Sequence, residues 1–336
     1  MSHVAIIACD HGLGHVRRCY LVAQELLYSG ANVDLYAPKA KINRVREVLG
    51  EARGLKIHDF STNTTSDNLQ SGSVHTLQWP ERLPNLDRYS FIISDSLPEL
   101  LEYRPDAILL AHFFWHDVLD DLPPSYVDRC EELLHIHQPM ICGSKRFSME
   151  VVRGQPAFRN VGLYGPTRSR PERIKGSYNL LLSPGSTQRA HKGFDNLIRI
   201  IARSDSAPNG LVYVDPEVLP RDCPEWMRPF DYSPAAYKRI SAAVCRPGLG
   251  ILTDALWYGV LPICFTADRN REMMHNARVI RDHSLGYHCQ TGGEVLQVLS
   301  GMRANPSSRP QLRRLPTSEF SASAQIASLI VNHPGY

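Results

Sequence analysis

The chain reads as an α/β protein made of two doubly wound domains, and three observations lead there. Each half opens with the same unit: an apolar strand, a loop of small residues, then a helix. His3 to Cys9, Asp10 to Gly14 and Val16 to Tyr28 form it in the first half; Tyr178 to Leu182, Ser183 to Gln188 and His191 to Ala202 form it in the second. Between them, Gly162 to Gly176 holds two prolines and four basic residues (Arg168, Arg170, Arg173 and Lys175), the composition of a linker. Third, Val244 to Ile280 reads as strand end, glycine turn, helix, short strand, polar loop and helix. Two such domains are expected to face each other across a ligand cleft.

The remaining elements follow from the same patterns. Asn32 to Tyr36 is a second strand, Lys41 to Leu49 a helix and Leu55 to Phe60 a strand. Ser61 to Gly72, rich in Ser, Thr and Asn, suits a mobile loop over a cleft or an ordinary solvated loop. Tyr89 to Ser94 is a strand with Asp95 at its carboxyl end, where open α/β sheets place ligands. Ala107 to Ala111 and Pro139 to Gly143 are strands flanking a helix, Ser125 to Leu134. In the second half come a strand at Gly210 to Val214 and a helix at Ser233 to Ser241. After the strand Ala242 to Cys245, the turn at Pro247, Gly248 and Gly250 opens the next helix. Gly259 stops that helix, and Val260 to Phe265 is the strand that follows. Helices at Arg271 to Asp282, Gly293 to Arg303 and Ser321 to Val331 complete the chain, the last two separated by a proline-bearing loop, Asn305 to Pro316.

Composition narrows the function. At 336 residues, 43% hydrophobic and 21% charged, the chain can bury two sizeable cores. A net charge of +3 without a dense Lys/Arg run gives no footprint for nucleic acid. The 8 cysteines are scattered, with no C-x-x-C pair; Cys9, Cys142, Cys245 and Cys264 lie in apolar, strand-like contexts and read as buried free thiols in a reducing compartment. The first strand starts at His3 with no signal peptide ahead of it, and no apolar run approaches the roughly 20 residues of a membrane helix. The expected location is the cytoplasm, with peripheral membrane contact still open.

Four constellations carry possible chemistry. His11-Gly-Leu-Gly-His15 makes a tight turn that sets His15 at a helix start. The helix N-terminus disfavours imidazolium there, which suits a general base; a plain helix cap is the alternative. Gly12 and Gly14 with Asp34 imitate a dinucleotide fingerprint, but Arg17 fills the third glycine position and Asp34 lies inside its strand, so NAD or FAD is not expected. Second, Asp95 or Asp117 could orient His15 as the acid of a triad does; each also suits a helix cap. His112 and His116 have helical metal-ligand spacing, but the sequence offers no clear third ligand and Phe113, Phe114 and Trp115 suggest a packing or acceptor wall. No metal site is expected.

Third, Ser183 to Gln188 and Arg246 to Gly250 open helices whose N–H groups suit phosphate oxygens. Ser186, Thr187, Leu249 and Gly250 are the candidates. Asp254, one turn into its helix, would repel phosphate but accept hydrogen bonds from a ribose. The expected ligand is therefore a nucleotide with both diphosphate and sugar. No Walker A lysine pattern exists, so ATPase and kinase chemistry are disfavoured. Fourth, Asp268 to Glu272 with His275 and Asn276 could hold sugar hydroxyls or stand as a solvated loop with capping groups.

Gly12-Leu-Gly-His15 and the run Arg246 to Pro262, followed by Asn276-Ala277, resemble the GT-B superfamily of nucleotide-sugar glycosyltransferases. The likeness points to the branch of the lipid II-forming N-acetylglucosaminyltransferase. The resemblance implies two Rossmann-like domains: residues 1–165 for the acceptor and 166–320 for the donor, with 321–336 crossing back onto the first. It implies a UDP-sugar donor, no required cofactor, and a sugar, lipid-linked or small-molecule acceptor. Thymidine and guanosine diphosphates stay open. His15 falls on the base position with Gly14 beside it. Gly185, Ser186 and Thr187 fall at the phosphate loop, where Pro184 and Gln188 replace the usual glycine-serine pattern. Phe230 falls where the base is held, and Asp254 takes the ribose role usually filled by glutamate. Arg246, Gly248, Leu249, Gly250, Thr253, Asp268 and Asn270 complete the donor site. Gly12 to Cys19 also resembles the UDP-sugar hydrolase of pseudaminic acid biosynthesis, whose histidine activates water. Transfer is the favoured expectation; hydrolysis and nucleotide-sugar binding without turnover are the alternatives.

Overall fold

The computed structural model describes residues 2–62, 79–120, 122–166, 170, 172, 178–185, 188–203, 210–267, 270–304 and 313–332. Ser186, Thr187 and Asp268 lie outside them, as do 63–72 of the expected loop and most of the linker. Contacts divide the chain into two units: Met1–Gly165 with Ser318–Tyr336, and Pro166–Thr317.

The first unit is built on a seven-stranded sheet ordered β3-β2-β1-β4-β5-β6-β7, every pairing parallel. Its strands are β1 (His3–Ile7), β2 (Asn32–Ala37), β3 (Lys56–Asp59), β4 (Phe91–Asp95), β5 (Ile108–Leu110), β6 (Ile141–Gly143) and β7 (Phe158–Asn160). Parallel strands covered on both faces need near-continuous apolar runs, and β1 (HVAII) supplies one. Helices α1 (Leu13–Tyr28) and α2 (Lys39–Leu49) follow β1 and β2. Beyond β5 come α3 (Trp115–Val118), α4 (Pro124–His137) and α5 (Glu150–Arg153).

Two cores sandwich this sheet. One joins Val4, Ile6, Tyr20, Leu26 and Leu35 to Ile326 and Ile330 near the chain end. The other joins Ala5, Ile7 and Leu109 to Trp79, Leu100, Trp115 and Leu133.

The second unit has six strands ordered β10-β9-β8-β11-β12-β13, also all parallel. They are β8 (Asn179–Ser183), β9 (Val212–Val214), β10 (Met227–Pro229), β11 (Ile240–Cys245), β12 (Leu261–Phe265) and β13 (Tyr287–Cys289). The helices are α6 (Gln188–Ala202), α7 (Pro234–Tyr237), α8 (Leu249–Tyr258), α9 (Arg271–Asp282) and α10 (Gly292–Ala304). All eight cysteines are free.

Two departures from the sequence reading have local causes. The helix expected over Ser233 to Ser241 ends at Tyr237, because Ile240 pairs with Asn179 and opens β11. The edge strands β7, β10 and β13 were not expected: three residues each, FRN, MRP and YHC, they carry no sustained apolar run.

The last helix, α11 (Ala322–Val331), packs against α1 in the first unit. Its approach is fixed where Leu163 N–H donates to the Glu319 carbonyl at 2.6 Å and Ala322 N–H to the Leu163 carbonyl at 3.1 Å. Gly162 allows this crossing: its φ is +81°, and a Cβ there would lie 2.5 Å from the Glu319 carbonyl oxygen. Gly162→Ala is therefore expected to destabilise the protein by about 2 kcal/mol or more. Urea unfolding measures it, and an unchanged midpoint would show that the crossing does not constrain the chain.

Candidate active site

In a doubly wound sheet, ligands gather where the strand order reverses, at the carboxyl ends of the strands flanking the reversal. In the first unit that point lies between β1 and β4. After β1 the chain turns through Gly12, at φ +82°, into α1. His15 is the third residue of α1, and the space beside the Gly14 backbone is open. Asp95 is the last residue of β4 and is fully buried.

The two meet. His15 Nδ1 lies 2.8 Å from Asp95 Oδ2, and the Cys9 backbone N–H donates to the same oxygen at 3.3 Å. A third member was not expected from the sequence: Arg18. Its Nε donates to Asp95 Oδ1, its Nη2 lies 3.0 Å from His15 Nδ1 and donates to Ser96 Oγ at 2.8 Å. The signal was the three-residue spacing from His15, which puts both on one helix face.

Burial lowers the His15 pKa below the ordinary imidazole value; Asp95 opposes this and Arg18 reinforces it. Burial alone would lower the Arg18 pKa too, but the neighbouring groups together, Asp95 foremost, outweigh this and raise it. The thiols of Cys9 and Cys19 are pushed up by burial and by Asp95, so they stand as neutral packing groups. The aromatic wall is in place: Trp115 stacks on His15 at 5.9 Å between centroids, and Phe113 meets it edge-on at 6.1 Å. Asp10 holds the start of the loop after β3 by accepting from Ser61 and Thr62.

The other candidates of this unit have local partners. Asp117 accepts the Phe114 N–H at 3.1 Å and lies 3.8 Å from His116, so it acts as a cap within α3 while Asp95 is the carboxylate that reaches His15. His112 Nδ1 takes the Ser144 N–H at 3.4 Å beside Ser148 Oγ. Among the described residues no three His, Cys, Asp or Glu groups are placed to hold a metal ion.

The second unit repeats the topology, its reversal lying between β8 and β11. The loops after these strands are tied together, since Arg246 N–H donates to the Ser183 carbonyl at 3.0 Å. Gly185 sits at φ +81° with open space beside it, and His191 Nε2 donates to its carbonyl at 2.8 Å. Gly248 is the N-cap of α8, so the first-turn N–H groups, including those of Leu249 and Gly250, have no acceptor within the helix. Thr253 Oγ donates to the Leu249 carbonyl at 2.7 Å, and Asp254 is buried.

Three residues take roles the sequence did not reveal. Asn276 Nδ2 donates to the Pro247 carbonyl at 2.9 Å, so this buried amide locks the glycine turn. Asn270 caps α9 by accepting the Met273 N–H at 3.1 Å. The Phe230 ring is buried among Tyr213, Tyr232 and Tyr237, which leaves its backbone for any base contact. Next to it Tyr232 adopts φ +57°, held by its hydroxyl donating to Asp215 at 2.5 Å and standing 2.9 Å from Ser183 Oγ.

No family model matches the chain, and no curated protein matches its sequence. Solved structures do match. The calicheamicin glycosyltransferase CalG4 is 15% identical, over 100% of this chain and 98% of that one, with a TM-score of 0.65. UGT89C1 of Arabidopsis thaliana, complexed with UDP, is 12% identical over 98% and 99%, with a TM-score of 0.61; its quercetin complex also matches, at 0.59. SsfS6 of Streptomyces sp. SF2575, complexed with thymidine diphosphate, is 14% identical over 98% and 99%, at 0.56. The fold is that of the GT-B glycosyltransferases.

One further group of the first unit titrates near neutrality. Glu99 lies in the short 3-10 turn Pro98–Glu102 after Asp95, fully enclosed in the second core. Tyr126 donates to its Oε1 at 3.0 Å, while Oε2 has no partner among the described residues. Burial raises its pKa to about 7. The folded state therefore keeps a proton that the unfolded state loses above about pH 4.5. This contribution is full below that pH and is lost as pH rises through 7, an amount on the order of 3 kcal/mol. Glu99→Gln is expected to match the native protein near pH 4 and exceed its stability at pH 8. Equal pH dependence of the two unfolding midpoints would contradict the assignment.

Proposed function

We propose that the protein is an inverting glycosyltransferase, moving a sugar from a nucleoside diphosphate sugar to an acceptor hydroxyl with His15 as general base. The observation that carries this reading is the His15–Asp95 contact at the first switch point. With its Nδ1 proton donated to Asp95, the ring presents the Nε2 lone pair. Nε2 takes the proton of the acceptor hydroxyl as its oxygen attacks the anomeric carbon. The bond to the diphosphate breaks on the opposite face, so configuration inverts and the electron pair leaves with the nucleoside diphosphate. Asp95 is a positioning residue here, and Asp117 has no part in the step.

The donor belongs to the second unit. The α8 N-terminus, with the N–H groups of Leu249 and Gly250, supplies donors for the diphosphate, and Gly185 with Ser186 and Thr187 supplies more. Asp254 takes the ribose hydroxyls, Arg246, Gly248 and Thr253 frame the turn, and Asp268 and Asn270 are our candidates for holding the sugar. UDP and thymidine diphosphate in the structures of similar fold support a pyrimidine nucleotide, with a UDP-sugar as our choice, and quercetin supports a small-molecule acceptor. A lipid-linked acceptor, with peripheral membrane contact, follows from the resemblance to the lipid II branch. We place the protein in the cytoplasm on the same reading. No helix of the described residues is long and apolar enough to cross a membrane.

Hydrolysis is the second reading, with water in place of the acceptor. The run Gly12 to Cys19 favours it, since both its His15 and its Arg18 reach the Asp95 cluster.

Two substitutions test the assignment. His15→Ala is expected to lower turnover by roughly 10² to 10⁴-fold while nucleoside diphosphate affinity stays unchanged; native turnover in this variant would remove His15 from the mechanism. Asp254→Ala is expected to weaken UDP binding about tenfold in calorimetry. Equal affinity would withdraw the ribose assignment.

A further inference from the structure

A carboxylate buried beside one histidine would normally draw a proton onto that ring, leaving imidazolium and no base. Asp95 is fully buried and His15 Nδ1 is 2.8 Å from it, yet a second cation is already there. Arg18 touches Asp95 through Nε and His15 through Nη2. We propose that Arg18 is a positioning residue that keeps His15 neutral and ready to accept a proton, by holding the charge of Asp95 that would otherwise protonate the ring. The inference rests on the reading of His15 as base.

Donor and acceptor counting supports it. Guanidinium only donates and carboxylate only accepts, so His15 Nδ1 cannot serve both neighbours at once. With its proton on Nδ1, the ring donates to Asp95 and leaves Nε2 bare. With Nδ1 bare, the ring accepts from Arg18 and Nε2 carries the proton. Fully protonated, the ring would set a second cation 3.0 Å from Arg18. The Nδ1 contact to Asp95 is the shorter, 2.8 Å against 3.0 Å to Arg18, which favours the first arrangement, and Arg18 is held in place by its other bonds. Nε is committed to Asp95 Oδ1, and Nη2 donates to Ser96 Oγ at 2.8 Å, whose own proton goes to the Leu110 carbonyl at 3.3 Å. Asp95 is steadied in turn by the Cys9 N–H.

The remaining groups around the ring do not change the balance. From α2, Lys41 adds a further positive field, its ammonium bound to the Asp10 carbonyl. From the turn after β1 and from α1, Cys9 and Cys19 are neutral thiols, and Tyr164 is a buried neutral phenol. Phe113 and Trp115 close one side, with His11 sharing the Trp115 ring edge-on at 4.7 Å. Asp10, in the turn after β1, is engaged by Ser61 and Thr62. Asp95 is thus the anion bonded to His15, and Arg18 is its counter-ion.

Imidazole nitrogen NMR reads the ring directly, without activity. In the native protein His15 is expected to be the neutral Nδ1–H tautomer at pH 7, with its titration midpoint below 6.5. In Arg18→Met the midpoint is expected to rise by at least one pH unit, and the acidic limb of kcat/KM to move with it. Activity at pH 7 then falls tenfold or more and recovers toward pH 9, while Arg18→Lys restores most of the native profile. An unmoved midpoint in Arg18→Met, or a loss equal at every pH, would overturn the proposal. If Arg18→Met does not fold, imidazolium at pH 7 in the native chain would overturn it alone. Should His15→Ala prove fully active, the base reading fails while the titration data still judge Arg18.

Discussion

The arrangement at the first switch point depends on one buried charge. Asp95 ends a central strand with no exposure to water, and a carboxylate so placed must be paired. The fold pairs it with Arg18, His15 and the Cys9 N–H, from α1 and the end of β1. These groups converge because β1 and β4 are neighbours in the sheet although 86 residues separate Cys9 from Asp95. The strand order brings these groups together, and the buried carboxylate bonds to each of them.

The second unit solves a different problem with the same topology. Its reversal between β8 and β11 gathers backbone amides and a helix N-terminus, with a framework that is mostly internal. Asn276 locks one turn, His191 the other, and the Arg246–Ser183 bond joins them. Tyr232 tolerates a left-handed backbone because Asp215 and Ser183 hold its hydroxyl. One switch point thus presents a polarised side chain and the other a set of backbone N–H groups.

Much of this was legible in the chain. Strands buried on both faces are written as apolar runs, and glycines mark each loop that opens a helix, so the two doubly wound sheets and His15 at a helix start could be read directly. The choice between Asp95 and Asp117 could not, because it depends on which strand lies beside β1. Arg18 was hidden as one arginine of an Arg17-Arg18 pair, separable only by helix geometry. Asn276 and Phe230 carried the right residue types for ligand contact, and their internal partners, the Pro247 carbonyl and a cluster of tyrosines, could not be read from the chain. The helix over Ser233 to Ser241 was read too long because propensity along the chain does not register the pairing of Ile240 with Asn179.

The central claim is that a nucleoside diphosphate sugar is cleaved by direct displacement with an external nucleophile. The measurement that tests it most directly follows nucleoside diphosphate release and product anomeric configuration by proton NMR, with and without acceptor alcohols, across UDP- and TDP-sugars. The account predicts acceptor-dependent release from at least one donor, yielding a glycoside of inverted configuration. Release of a retained product, or no release from any donor under either condition, would contradict it.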